Sequence, residues 1–343
     1  MNAELQVRKT VKEHKLIAKG DIVVLGLSGG PDSLCLLHIL KSMQHSLDFT
    51  LQALHVNHLM RGEQAGEDEV WLSEHCQKLG VPFTAVRCDV YAKAKEEGVS
   101  PEEAGRKARH SALKAHQASL QLSGEDLREG GRVLIALAHN RDDQAETVLM
   151  RLLRGTGIHG LAAMEYARAD GLIRPLLDTP RSEIEAYCEA LGLSPRWDCT
   201  NADTYYTRNR LRQQLLPRLE AEYNPNIREG LVRLAASARE DDAFLQELAE
   251  KEAEGHRGSF PVKRLAALPA PIAKRVVRLL FAAEGLDEDI AASHLESLLA
   301  AARGRRTGKT IEFPHGYTAR VTHESVVFES GDVSPDSHAD DSR

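Results

Sequence analysis

Apolar positions in the N-terminal part of the chain follow two alternating rhythms. Runs rich in β-branched and aliphatic residues recur at 22–27, 50–56, 83–89 and 133–138. Each is followed by a stretch with apolar residues three and four apart, at 33–43, 64–79, 101–122 and 143–153. The first rhythm belongs to buried strands and the second to helices with one core-facing stripe. Strands alternating with helices of this length predict βαβ units, hence an α/β domain with a doubly wound, mostly parallel sheet. A short helix over 5–18, with Leu5, Val7, Val11, Leu16 and Ile17 as its stripe, precedes the first strand. Ligands of such sheets sit beyond the carboxyl ends of the strands, so Ser28 to Ser33, His55 to Arg61 and His139 to Glu146 are expected around one crevice.

Beyond residue 155 the pattern changes. A glycine-spaced loop, an apolar run at 172–177 and a helix from Thr179 or Pro180 to Leu191 complete the first unit. Residues 224–255 form one long, charge-rich helical pattern whose early part carries Ile227, Leu231, Leu234 and Ala235, the shape of an element bridging two domains. From Phe260 a second unit follows, with helical patterns at 271–284 and 288–303 and short strands at 310–313, 317–321 and 325–328, a smaller helical α+β domain. The expected division is a catalytic domain over 1–218, a C-terminal domain with its linking helix over 219–330, and an acidic disordered tail over 331–343. The polar, glycine-flanked stretch 121–132 reads as an exposed insertion without a role.

Composition narrows the function classes. The chain has 343 residues, 42% of them hydrophobic and 28% charged. That is ordinary for a globular protein and long enough for two domains. No apolar run is long enough to cross a bilayer and the first residues hold no signal-peptide core, so a cytoplasmic protein without membrane contact is expected. The five cysteines, Cys35, Cys76, Cys88, Cys188 and Cys199, form no C-x-x-C pair, against a zinc ribbon, an iron–sulfur site or a disulfide framework. The net charge of −7 speaks against nucleic acid only on average, because arginines cluster between Arg196 and Arg218 while acids gather elsewhere.

The chemistry begins at Ser28-Gly29-Gly30-Pro31-Asp32-Ser33, between a strand and a helix. Paired glycines permit positive φ and close approach of an anion, and the helix start offers unpaired N–H groups and a positive dipole end. The turn lacks the lysine of a Walker A loop. An aspartate beside phosphate is repelled unless a divalent cation lies between them, so Asp32 points to Mg²⁺ with a nucleotide. The plain alternative is a capped strand-to-helix turn with Pro31 in the first helical turn. Gly304 to Thr310 resembles a Walker A loop, but its glycines are too close and a strand follows. His55 and His58 would face opposite sides of a strand unless it ends by Asn57, which leaves little room for a metal site.

A second constellation, His139-Asn140-Arg141-Asp142-Asp143-Gln144-Ala145-Glu146-Thr147, ends a strand and opens a helix. Asp143 and Glu146 lie three apart on one face. They read either as a capping-box arrangement, with Asp143 at the cap and Glu146 at its third position, or as paired acids at the rim of the crevice.

The ordered set of segments resembles a family. The loop is similar to the SGGxDS loop of the PP-loop ATP pyrophosphatases. His55-Val56-Asn57-His58-Leu59-Met60-Arg61, Glu103-Ala104-Gly105-Arg106-Lys107-Ala108-Arg109, residues 139–164, Leu172-Ile173-Arg174-Pro175-Leu176-Leu177, residues 197–203 and Arg208-Asn209-Arg210-Leu211-Arg212 are similar to tRNA(Ile)-lysidine synthetases within that superfamily. The likeness spans nearly all of 20–218. It implies ATP-dependent ligation of lysine to the wobble cytidine of a tRNA(Ile) with anticodon CAU. The ring carbonyl is first adenylated with release of pyrophosphate, and the ε-amine of L-lysine then displaces AMP. It implies ATP at Ser28, Gly29, Gly30, Asp32, Ser33, His55 and Arg106, Mg²⁺ at Asp32, and lysine at Asp143 and Glu146. Catalytic roles fall to Asp32, Asp143, Glu146 and Arg109, and tRNA contacts to Arg208, Arg210 and Arg212, although two-residue spacing would spread the last three around a helix. Arg106 and Arg109 read equally well, taken singly, as a solvated helix face.

Two positions depart from the family pattern: Gly105 where alanine is usual, at a cost of about 1 kcal/mol in a helix, and His110 where tyrosine is usual. The chain is also expected to lack a second C-terminal domain found in longer members. A PP-loop tRNA thiolase and a non-catalytic ATP-binding regulatory protein are the rival readings. The oligomeric state stays open, a homodimer included.

Overall fold

The computed structural model describes residues 2–60, 63–124, 127–196, 207–286 and 289–330. Arg61, residues 197–203 with Cys199, and the tail 331–343, all singled out above, lie outside the described residues. The chain divides into two compact units, Met1–Ala236 and Ser237–Arg343.

Unit 1 is built on five parallel strands, β1 (Ile22–Gly26), β2 (Thr50–Asn57), β3 (Phe83–Arg87), β4 (Val133–Ala136) and β5 (Leu172–Ile173), in the order β3-β2-β1-β4-β5. The order reverses between β1 and β4, and there the loops after adjacent strands diverge and open a crevice. Alternation along β1 explains why both faces are covered. Ile22 and Val24 join Leu54, Val56, Leu113 and Ile135 on one side. Val23 and Leu25 join residues of α1 (Ala3–Glu13), α2 (Pro31–Leu47), α3 (Glu63–Leu79) and α8 (Arg181–Ala190) on the other. At the opposite end of the sheet the buried Asp21 accepts from Ala18 N, Arg132 N and the Arg132 guanidinium, locking the start of β1 to that of β4.

The predicted α/β architecture is present. The periodicity reading misses α4 (Val90–Glu97), which buries only Val90 and Ala94, a single helical spacing too short to establish a period. Its signals are the caps: Asp89 accepts from Ala92 N and Gly98 ends it with φ +65°. Residue 89 is therefore a helix cap, where the sequence suggested the end of a strand. Next come α5 (Pro101–Ser123), α6 (Arg141–Arg154) and α7 (Ile158–Leu161). After α8, helix α9 (Thr207–Arg210) continues through a π-type turn at Leu211–Leu215 into α10 (Leu216–Glu222). Pro217, which has no N–H to give the helix, sits just beyond that widened turn.

The long pattern at 224–255 forms α11 (Ile227–Ala253), and the division between units falls inside it. Leu231 and Ala235 pack with Ala145, Val148 and Leu149 of α6, so the end of unit 1 lies beyond the expected residue 218.

Unit 2 has a four-stranded antiparallel sheet of β6 (Ser259–Pro261), β7 (Thr310–Glu312), β8 (Thr318–Val321) and β9 (Ser325–Glu329), in the order β6-β9-β8-β7. Helices α12 (Val262–Ala267), α13 (Ala270–Ala283) and α14 (Ala292–Arg303) close over it around Phe260, Phe281, Phe313 and Phe328. The sequence showed neither β6 nor α12, each too short for a period. Residues 304–309 lead into β7, not into a helix, as the sequence pattern suggested. Among the described residues no helix is long and apolar enough to cross a membrane.

Candidate active site

The turn after β1 is shaped by its own side chains. Gly29 adopts φ +85°, which a glycine takes without strain. Ser33 Oγ accepts from Ser28 N at 3.2 Å and Gly29 N at 3.1 Å and donates to Gly30 O at 3.0 Å. The Ser33 hydroxyl, assigned to phosphate by the resemblance, closes the loop in this structure and lies 3.1 Å from Ser28 Oγ. Ser28 is exposed at its mouth. Pro31 opens α2 with Gly30 as its cap and no side-chain capping bond, which leaves the first-turn amides directed along the helix axis for an anion.

Asp32, in the first turn of α2, accepts from Asn140 Nδ2 at 2.8 Å. Burial, then the charge of Asp143, pushes its carboxyl up to about 6, against the pull of Asn140, Arg181 and Arg212. A carboxylate in this position is short of positive charge.

The second constellation is capped one turn earlier than the sequence suggested. Asn140, not Asp143, caps α6: its side chain accepts from Asp143 N, and Asn140 N donates to the Asp143 carboxylate, each at 3.0 Å. Asp143 is thus the third-position partner of the box, and Glu146 is released from any capping role. The adjacent Asp142 turns away and accepts from Arg181 N, at the start of α8, and from Arg228.

Asp143 and Glu146 meet two arginines. Arg208 reaches Asp143 at 3.0 Å and Glu146 at 2.9 Å. Arg212 reaches Asp143 at 2.8 Å and Glu146 at 2.5 Å. The two arginines are four apart, so they share a helical face, while Arg210 is exposed. The spread around the helix expected for the trio therefore holds for Arg210 alone. The Glu146 side chain is 0% exposed. Burial works to raise the Asp143 carboxyl, but the charges of Arg208 and Arg212 hold it below its usual range.

A cavity of about 430 Å³ opens over the carboxyl ends of β1, β2 and β4, lined by Ser28, Gly30, Asp32 and Ser33 at one part and by Leu27, Leu54, Val56, Leu113, Ile135 and Leu137 along its walls. Apolar walls beside a glycine turn with open first-turn amides suit a nucleoside. Arg106, Arg109, His55, His58, His139 and Arg174 also border it. β2 ends at Asn57, so His55 and His58 share this cavity. His55 Nδ1 donates to Leu27 O at 2.8 Å, and burial holds its pKa below the usual value. Among the described residues no three His, Cys, Asp or Glu side chains converge as a metal cluster.

Sequence reasoning gave no role to Asn140, Arg174 or Arg196. Asn140 joins Asp32 to the α6 cap. Arg196 N donates to Gly29 O at 3.0 Å, and its guanidinium lies over Trp71. Cys35, Cys76 and Cys188 are buried, as small apolar residues would be, and Cys188 Sγ contacts Pro31 O of the turn.

Comparison with known proteins bears on this geometry. A family model described as a PP-loop domain matches residues 1–219, and one described as a TilS substrate binding domain matches residues 260–326. A tRNA(Ile)-lysidine synthase of Clostridioides difficile (strain 630) is 41% identical over 249 residues, 73% of this chain and 51% of that protein. Proteins of the same name from Caldanaerobacter subterraneus subsp. tengcongensis and Geobacillus kaustophilus are 34% and 33% identical, covering 94% of this chain each and 68% and 70% of those proteins. The chain therefore spans about half the length of the first of these relatives and about two thirds of the others. A U34-tRNA thiolase from Methanococcus maripaludis shares the fold, with a TM-score of 0.54 at 22% identity over 69% of this chain and 78% of its own. The chain belongs to the tRNA(Ile)-lysidine synthase family, with a PP-loop domain over its first 219 residues.

Proposed function

We propose that this chain ligates L-lysine to the wobble cytidine of a tRNA(Ile) with anticodon CAU, using ATP. The observation that carries the reading is one rim holding three things at once: the anion-binding turn with a charge-starved Asp32, a nucleoside-sized cavity, and two buried acids faced by two arginines.

The turn and the first-turn amides of α2 would hold the β- and γ-phosphates of ATP, with the nucleoside along the apolar walls. The cytidine O2 attacks the α-phosphorus; a P–O bond forms, the bond to the β-phosphate oxygen breaks, and pyrophosphate leaves. Arg106 and Arg109, at the cavity edge, would offset charge on the phosphoryl oxygens. The lysine Nζ then attacks C2, the C2–O bond to AMP breaks, and the amine gives up a proton. Asp143 and Glu146 suit the substrate's ammonium, accepting from it as they accept from Arg208 and Arg212. Each arginine uses Nε and one terminal nitrogen on the acids, so its remaining N–H groups can take the substrate carboxylate or a tRNA phosphate. Arg210, exposed, is left for a phosphate of the tRNA.

Asp32 fits Mg²⁺. A buried carboxylate raised to about 6 by burial and by Asp143 gains from a cation, and one protein carboxylate with substrate phosphates is the usual Mg²⁺ donor set. When bound, the metal would screen charge on the departing pyrophosphate.

The test supplies purified chain with ATP, Mg²⁺, labelled lysine and a CAU-anticodon tRNA(Ile). Label in the tRNA with one pyrophosphate per lysine supports the reading. Incorporation that ignores the anticodon, or ATP bound without pyrophosphate release, defeats it.

A further inference from the structure

Arg174 is the one buried arginine at the cavity whose guanidinium, among the described residues, meets no carboxylate at hydrogen-bond distance. It is 8% exposed. It follows β5 directly, and its backbone N donates to Tyr166 O at 2.8 Å, which fixes the root of the side chain. Its Nη1 donates to Glu165 O at 2.6 Å and its Nε to His139 Nδ1 at 3.3 Å. Burial, together with Arg168, lowers its pKa to about 10, still far enough above neutrality for the group to remain a cation. A buried cation held by two neutral acceptors is costly in a structural role alone.

The bond to His139 has a defined chemical consequence. A guanidinium Nε–H only donates, so His139 Nδ1 must accept and carry no proton. The ring is then neutral with its proton on Nε2, or else the bond is lost. Burial first, and then Arg174, Arg208 and Arg109 against the opposing Asp143, pushes His139 down to about 4, which keeps the ring neutral. Among the described residues Nε2 has no hydrogen-bond partner, and His139 and Arg174 both border the cavity that also holds the turn and Asp32. Arg106 and Arg109, which also border the cavity, are exposed.

We propose that Arg174 is a positioning residue that fixes His139 with its proton on Nε2, so that His139 donates a hydrogen bond to an oxygen of the reacting substrate. The acceptor is an oxygen that gains negative charge, on the α-phosphate or at the cytidine carbonyl, where a preset donor is most effective. This rests on the adenylation reading, because that reaction places such oxygens at the cavity. In this arrangement His139 cannot take the proton from the lysine amine, since its only unprotonated nitrogen faces Arg174.

The experiment has two arms. In the first, ¹⁵N NMR of the histidine rings of the full chain, with His139 assigned by His139→Gln, follows tautomer and titration without any turnover. The wild type should show Nε2–H and no protonation down to pH 5. In Arg174→Met the His139 midpoint should move upward by one pH unit or more, toward the ordinary 6.5. A proton on Nδ1 in the wild type, or an unchanged midpoint in Arg174→Met, overturns the proposal. In the second arm, pyrophosphate release with CAU tRNA is measured. Arg174→Met should lower kcat about 100-fold with less than a threefold change in KM for ATP. His139→Gln, whose amide presents a donor at a similar reach, should keep more than a tenth of wild-type kcat where His139→Ala does not. Equal losses in the last two variants would mean packing alone and defeat the role. Arg174→Lys guards against misfolding: it keeps the charge but not the planar Nε–H, and should resemble Arg174→Met in rate while melting like the wild type. If the wild type makes no pyrophosphate at all, the functional reading fails while the NMR arm still decides the tautomer.

Discussion

Asp32→Asn should make this protein more stable and at the same time inactive. The Asp32 carboxyl is lifted from its ordinary 3.8 to about 6 by burial and by Asp143. A carboxyl whose pKa is raised by folding binds its proton more tightly in the folded state, so it favours the fold at low pH. That advantage disappears as pH rises from about 4 through about 6, and above pH 6 the ionised group opposes folding. At about 1.4 kcal/mol per pH unit, the full difference is about 3 kcal/mol at neutral pH. Asparagine is nearly isosteric, keeps an Oδ1 to accept from Asn140 Nδ2, and never ionises. Urea unfolding of the full chain at pH 7.5 should therefore show Asp32→Asn more stable by about 1 to 3 kcal/mol, several degrees in melting temperature. At pH 4 the wild-type carboxyl is protonated and the gain should shrink toward zero. Mg²⁺ with ATP should stabilise the wild type and not the variant. Pyrophosphate release should be lost at every pH. A variant less stable than wild type at pH 7.5, or a gain of the same size at both pH values, would refute the argument that Asp32 is held in an unfavourable charged state for its function.

Other outcomes follow from the same geometry. Arg208→Met and Arg212→Met should each cost about 1.5 to 3 kcal/mol, and the double variant should exceed their sum by about 1 kcal/mol, because only then does the fully buried Glu146 lose all its cations; strict additivity in urea unfolding would mean each arginine serves one acid. Gly105→Ala should stabilise α5 by about 1 kcal/mol, since a Cβ there would meet His58 Cε1 at 3.7 Å, an ordinary contact; a lower melting temperature would reveal crowding instead. Gly29→Ala should cost about 1 to 2 kcal/mol through its φ of +85° although the added Cβ makes only ordinary contacts, with Leu72 no nearer than 3.6 Å; a neutral result would show that the turn relaxes.

What the sequence revealed depended on how local the signal was. The parallel sheet and the turn after β1 were legible because a strand, two glycines and an apolar helix follow one another within twenty residues. Asp143 and Glu146 were visible as a pair for the same reason, but Asn140 as the true cap required knowing where α6 begins. Their partners were not legible. Arg208 lies 65 residues from Asp143, and nothing in its own neighbourhood tells an arginine bound to buried acids from one reaching for phosphate. Their spacing of four did hold a clue, since it puts Arg208 and Arg212 on one face and leaves Arg210 outside. Arg174 stood as a single polar residue in an apolar run, with no period and no partner nearby. The end of unit 1 fell inside α11, where an unbroken helical pattern with no proline offers no punctuation.

The central claim is that the turn activates the tRNA base and the rim of acids and arginines delivers lysine to it. It is tested most directly by following α-³²P from ATP with CAU tRNA and the chain in the absence of lysine. Label should appear on the tRNA as an AMP adduct, and adding lysine should chase it off as AMP while one lysine enters the tRNA for each AMP released. Label that appears on lysine and never on the tRNA would contradict the account.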